Sequence, residues 1–289
     1  MQFLLFIFLY PILWLISILP FKLLYLFSDF VYLIIYKIFG YRKKVVRDNL
    51  AKALPHLSDK ERLIIEKKSY HHLCDIFVEM IKTMTISKEE MSKRYVFTNI
   101  ETYLDLEKKG KSIALLCAHY ASYEWMISMN HHITFQGYGI YKKISNRYFD
   151  KLVKDIRSKF KAHLITTRET KKTIEKNKEL GILGVFGFAS DQIPSNKNTL
   201  YYSNFMGIKT PIHYGAESLA KVYDMNVIFV RGKKIKRGYY EATFEVLFED
   251  VRTVPNYQVS ELFMKKVEKQ ILEAPEFYLW THKRWKNLE

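Results

Sequence analysis

Between residues 93 and 273, short apolar runs alternate with longer amphipathic stretches, and this alternation restricts the chain more than any other feature. The runs at 113–118 and 182–188 carry no charged side chain and are too short for helices. They suit strands buried on both faces. Further strands are expected at 95–98, 138–141, 163–165, 227–230 and 239–248. Helices are expected at 103–109, 123–131, 148–160, 171–178, 212–222 and 260–273, with Gly110 and Gly181 closing two of them. A polar loop is expected over 190–198. Strands separated by helices of this length pair in parallel through right-handed crossovers. The expected fold class is therefore α/β, a mixed, mostly parallel sheet flanked by helices. In such sheets, sites form beyond the carboxyl ends of the strands.

Ahead of this core the pattern is helical. Val45 to Leu54 reads as a short helix stopped by Pro55. Ser58-Asp59-Lys60-Glu61 has the form of a capping box. Leu63, Tyr70, Leu73, Phe77 and Ile81 then recur at helical spacing, so a long helix should run to about Met84. His71 and His72 are adjacent on it and diverge, so they read as surface or packing residues.

Residues 1–21 contain no charged side chain, and 23–39 carry only Asp29 and Lys37. A membrane span needs about 20 apolar residues. No basic residue precedes the run and no small-x-small cleavage site follows it, which disfavours a secretory signal peptide. Residues 1–40 are expected to be a retained N-terminal membrane-anchoring segment, with Pro11 kinking any helix there. The cluster Tyr41-Arg42-Lys43-Lys44 predicts that the remainder stays on the cytoplasmic side. The formal charge of +16 favours anionic partners such as lipid headgroups or an acidic carrier protein. That charge is spread along the chain and no nucleic-acid-binding signature accompanies it, so no nucleic-acid partner is expected. The two cysteines, Cys74 and Cys117, have no metal-ligand spacing, and no metal is expected.

The chemistry centres on Cys117-Ala118-His119-Tyr120-Ala121-Ser122-Tyr123-Glu124-Trp125. His119 falls at a strand end and Glu124 in the first turn of the next helix. On one continuous helix, residues five apart diverge, so the two converge only if the backbone turns between them. A carboxylate against an imidazole makes a general base. By spacing alone, the pair equally suits a surface histidine beside an N-terminal helix glutamate. A hydrolase with Cys117 or Ser122 as nucleophile is the rival chemistry, although no nucleophile-elbow motif is present. Asp191 follows another strand end and can share a crevice with His119.

Several blocks in one order carry a family likeness from about Tyr41 to Trp285. They are Tyr41 to Leu50; Tyr70-His71-His72-Leu73 with Glu79-Met80-Ile81-Lys82; the His119-x4-Glu124 motif; Tyr141-Lys142 with Ser145-Asn146; Ile156-Arg157-Ser158; Ala189-Ser190-Asp191-Gln192; Phe205-Met206-Gly207 with Thr210-Pro211; and Ala274-Pro275-Glu276 with Tyr278 and Trp280-Thr281-His282-Lys283-Arg284-Trp285. In these the chain resembles the late acyltransferases of bacterial lipid A biosynthesis, within the lysophospholipid acyltransferase superfamily. The resemblance implies that residues 41–289 form an acyltransferase domain, with 41–92 as a helical lead-in and 93–289 as the α/β catalytic core. It also implies an enzyme on the cytoplasmic face of the bacterial inner membrane. Such an enzyme moves a fatty acyl chain from acyl carrier protein onto a hydroxyl of a lipid A-type glycolipid precursor, or of another lipid acceptor such as a lysophospholipid or aminolipid. The acyl thioester is a co-substrate and no further cofactor is implied. His119 would be the general base and Glu124 its orienting partner. Lys142, Asn146, Arg157 and Asp191 would bind substrate. Many family members carry Arg where this chain has Lys142, which offers a point charge rather than a bidentate fork.

Overall fold

In a computed structural model, residues 2–194 and 201–285 are described, so 195–198 of the expected polar loop lie outside the described residues. The lead-in comprises α1 (Gln2–Ile18), α2 (Phe21–Tyr32), a π-helical turn (Leu33–Ile38), α3 (Lys43–Ala53), α4 (Asp59–Lys82) and α5 (Lys88–Arg94). The core follows as β1 (Tyr95–Phe97), α6 (Ile100–Glu107), β2 (Ile113–Cys117), a 3₁₀ helix (Tyr123–His131), β3 (Gln136–Tyr141), α7 (Arg147–Ser158), β4 (His163–Thr166), α8 (Thr170–Glu179) and β5 (Gly184–Ala189). It continues through β6 (Tyr201–Phe205), β7 (Ile208–Ile212), α9 (Gly215–Tyr223), β8 (Asn226–Lys236), β9 (Tyr239–Phe248) and α10 (Gln258–Glu273).

Seven strands form one sheet in the order β1-β9-β8-β2-β5-β3-β4. Every neighbouring pair is parallel except β8 and β9, whose short connection permits only an antiparallel hairpin. β2 lies near the centre, with Leu115 paired to Gly187 on β5 and to Ile228 on β8. All five of its residues are buried, which explains why its sequence lacks polar alternation. The expected mixed, mostly parallel sheet with flanking helices is thus what the chain forms.

Differences are local. β8 runs on to Lys236, well past the expected strand end at Val230, and takes in most of the basic run 233–237. The region expected to begin a helix at Ile212 ends a strand instead. β6 and β7 form a separate two-stranded hairpin that the pattern did not announce. Its turn, Met206-Gly207, has positive φ at both residues, the backbone twist that tight hairpins favour.

The lead-in is fastened to the core by polar side chains. The capping box forms at the start of α4, with Ser58 and Glu61 bonding reciprocally. Ser28 of α2 donates to Asp75 of α4 at 2.8 Å, and Tyr25 donates to the buried Glu79 at 2.8 Å. Arg237, in the β8–β9 connection, binds both Asp29 and Asp75. Lys82 donates to the carbonyls of Ser17 and Leu19 where α1 meets α2. These bonds face inward. The outer faces of α1 and α2 expose Leu4, Phe8, Ile12, Leu15, Leu26 and Phe30, with Phe8 72 % exposed. Among the described residues, no single helix is long and apolar enough to cross a membrane; residues 21–38 and 43–53 would do so only as a pair bent by 89°.

Candidate active site

The carboxyl ends of β2, β3 and β5 face one edge of the sheet, and the expected site residues follow them in sequence. Beyond β2 the chain passes through His119 and reverses at Ala121, which adopts a left-handed φ of 50°. A non-glycine residue rarely sits there, and such positions recur at functional sites. The reversal launches a helix of 3₁₀ rather than α type, and Ser122 does not cap it through its side chain.

The carboxylate bound to His119 is Asp191, not Glu124. Asp191 Oδ1 lies 2.8 Å from His119 Nδ1 and also accepts the His119 backbone N–H at 3.1 Å. Because an ionised carboxylate only accepts, Nδ1 carries the proton and Nε2 keeps its lone pair. The His119 side chain is 21 % exposed and Asp191 only 1 %. Burial by itself would lower the imidazole pKa, but the charge and hydrogen bond of Asp191 outweigh it and hold the ring above its ordinary value. Reciprocally, burial would raise Asp191, and the contact with His119 holds it below the usual carboxylate range. The phenol of Tyr278, kept protonated by burial and by Asp191, faces the same carboxylate.

Glu124 is bound by Arg157 instead. Arg157 Nε and Nη2 reach the two Glu124 oxygens at 2.9 and 2.6 Å, a bidentate fork that matches a carboxylate better than one imidazole N–H can. Glu124 remains close enough to add its field to His119. Arg157 stands in the last turn of α7, and Asn146 caps that helix, its Oδ1 accepting the amides of Tyr148 and Phe149. Asn146 therefore acts first on the helix that carries Arg157. Lys142 is exposed just past β3, and among the described residues no hydrogen bond or ion pair ties it to the His119–Asp191 pair.

The final segment, past α10, makes the opposite wall. Leu279 donates its N–H to His119 O and Ala121 donates to Phe277 O, each within 3.1 Å. A narrow crevice beside His119 runs between α4 and this segment, lined by Leu73, Ile76, Tyr123, Phe277 and Leu279. The free space within it is about 10 Å³, close to one water and far short of a fatty chain. Sequence reasoning missed Tyr278 and His282 as neighbours of Asp191; their only signal was their place in the block ending at Trp285. Cys117, the alternative nucleophile, is buried, and burial pushes its thiol up to about 12, the reverse of an activated cysteine.

The family model for bacterial lipid A biosynthesis acyltransferases matches residues 2–287, nearly the whole chain. The chain belongs to that family. Its members are acyltransferases, so the chain is a lipid A-type acyltransferase. No curated protein sequence matches it.

Proposed function

We propose that this acyltransferase moves a fatty acyl group from an acyl thioester, carried by acyl carrier protein, onto a hydroxyl of a lipid A-type glycolipid precursor, with His119 as general base. His119 Nε2 takes the proton of the acceptor hydroxyl while its oxygen attacks the thioester carbonyl carbon. The carbonyl π electrons move to oxygen, and Arg157, oriented by Glu124, offers its remaining N–H groups to that oxyanion. Collapse re-forms the carbonyl and expels the thiolate, which receives the proton back from His119. Asp191 holds the ring in the tautomer that leaves Nε2 basic and stabilises the imidazolium. Lys142 and the Asn146 amide group lie past the end of β3, suited to a phosphate or sugar of either substrate.

The apolar outer faces of α1 and α2 sit in the bilayer at the cytoplasmic face of the inner membrane. Cations beside them, Lys22, Lys37, Arg42 and Lys43, meet headgroups. The observation that carries the reading is the 2.8 Å bond between His119 Nδ1 and Asp191 within a chain of this family. Membranes containing the enzyme, incubated with labelled acyl-loaded acyl carrier protein and a lipid A-type glycolipid precursor, should yield a product heavier by one acyl group. Label appearing only in lysophospholipid, or only with coenzyme A as donor, would replace the acceptor or the carrier. Label appearing in neither would end the proposal.

A further inference from the structure

The Asp191 carboxylate is set against His119 by a loop, and loops need holding. After β5 the chain has only Ser190 before Asp191 and leaves any regular element, yet Asp191 is 1 % exposed. Two residues on, the Ile193 amide donates to Nε2 of His282 at 3.3 Å. His282 belongs to the segment that follows α10, and that segment is itself tied down. The Asn49 side-chain amide, buried on α3, donates to Trp280 O at 2.8 Å and to His282 O at 2.7 Å. The Arg284 backbone N–H donates to His282 O as well, at 2.8 Å. Trp280, Arg284 and Trp285 are each at most 3 % exposed, so the segment is a packed wall. A continuous chain of bonds thus runs from Asn49 through His282 and Ile193 to the loop that presents Asp191 to His119.

The bond from Ile193 also fixes the chemistry of the His282 ring. An N–H can donate only to an unprotonated nitrogen, so Nε2 is bare and Nδ1 bears the hydrogen. Burial and the Arg284 guanidinium push His282 down to about 4, so the ring is neutral near pH 7. His282 is therefore an acceptor and not a second base.

We propose that His282 is a positioning residue. Through the Ile193 amide it holds Asp191 on His119, and Asn49 holds the segment from which His282 reaches. The inference rests on the assignment of His119 as the base. Its direct readout is the titration of His119 and needs no turnover.

The groups around that titration are identifiable. Glu124 and Arg157 face His119 from the 3₁₀ helix and α7, and bound to each other they largely cancel. Tyr123 packs edge-on to the ring. His282 faces it from the final segment, and Tyr278, His213 and Arg284 face Asp191. Asp191 is left as the charge that decides the sign.

The test compares His282→Leu with His282→Gln, whose amide oxygen reaches about as far as Nε2 and accepts as it does. The His119 ring proton is titrated by NMR in detergent micelles on the full chain, and acyl transfer is followed from pH 5 to 9 alongside. In the Leu variant the His119 midpoint should fall to the ordinary value of about 6.5 or below. Transfer should drop by about 10²-fold, the usual effect of a misplacement near 1 Å. The Gln variant should recover both. A Leu variant with the wild-type midpoint overturns the proposal, and so does a Gln variant that behaves like Leu. If the Leu chain does not fold, Asn49→Ala keeps the His282 side chain and frees its segment; the midpoint should again fall, and an unchanged one is equally contrary. Should the midpoints move as stated while His119→Ala still transfers acyl groups, the assignment of the base fails, and the contact that His282 maintains has no catalytic meaning.

Discussion

Asp191 does two things to His119: it selects the tautomer and it raises the pKa. Both predict how activity depends on pH. A general base must be neutral, so transfer should rise with pH through the His119 pKa, with a midpoint above the ordinary value of about 6.5. In Asp191→Asn the charge is gone while burial remains, so that midpoint should move down, to 6.5 or below. Asparagine can also present its NH₂ to Nδ1, which forces the proton onto Nε2 and removes the base. Transfer by Asp191→Asn should therefore fall by roughly 10²-fold or more, within the range that general base catalysis supplies. A pH–rate profile of the purified variant measures both quantities. The sequence placed His119 at a strand end and Asp191 beyond another, but it paired His119 with Glu124. Proximity in the chain favoured that choice. The Arg157 that binds Glu124 is 33 residues away and the Asp191 that binds His119 is 72 away, and neither separation leaves a trace in local spacing.

At the scale of elements, α2 is held by charges rather than by a buried apolar stripe alone. Asp75 is 3 % exposed and takes bonds from Ser28, Lys234 and Arg237. Arg237→Ala would remove its shortest ion pair and the link to Asp29. The expected cost is on the order of 1–3 kcal/mol, the penalty for an under-satisfied buried group. Thermal melts should show the loss, and proteolysis should cut between α2 and α3 sooner than in the wild type. None of this network was legible in the sequence, because Asp29, Asp75 and Arg237 carry no shared motif. The elements themselves were legible where the pattern is local. The α4 capping box, the buried β2 and the helix ends at Gly110 and Gly181 all depend on neighbours within a few residues. The β6–β7 hairpin was not legible, since Met206-Gly207 is a weaker turn signal than Asn-Gly and Pro211 reads against a strand. By composition the final block, Trp280 to Trp285, suits either a lipid interface or a packed terminal strand. The burial of Trp280, Arg284 and Trp285 decides for packing.

For the whole molecule, the exposed apolar residues of α1 and α2 and the charge of +16 make one expectation together. Vesicles containing about 30 % anionic lipid should bind the protein more tightly than neutral ones, since each nearby cation contributes about 1 kcal/mol. High salt should weaken that binding without abolishing it, because the apolar faces are not screened. Phe8→Asp, at a position 72 % exposed, should weaken binding in both lipids and leave the melting temperature within a few degrees. Vesicle flotation reads all three. On the proposed function, membrane contact falls to α1 and α2 and catalysis to the His119 site, so the two can be separated experimentally. The most direct comparison is acyl transfer by His119→Ala and by the wild type, each checked to be folded and membrane-bound. Transfer from acyl carrier protein to the glycolipid precursor should vanish in the variant while vesicle binding is unchanged. Transfer at the wild-type rate would show that this imidazole does not take the proton.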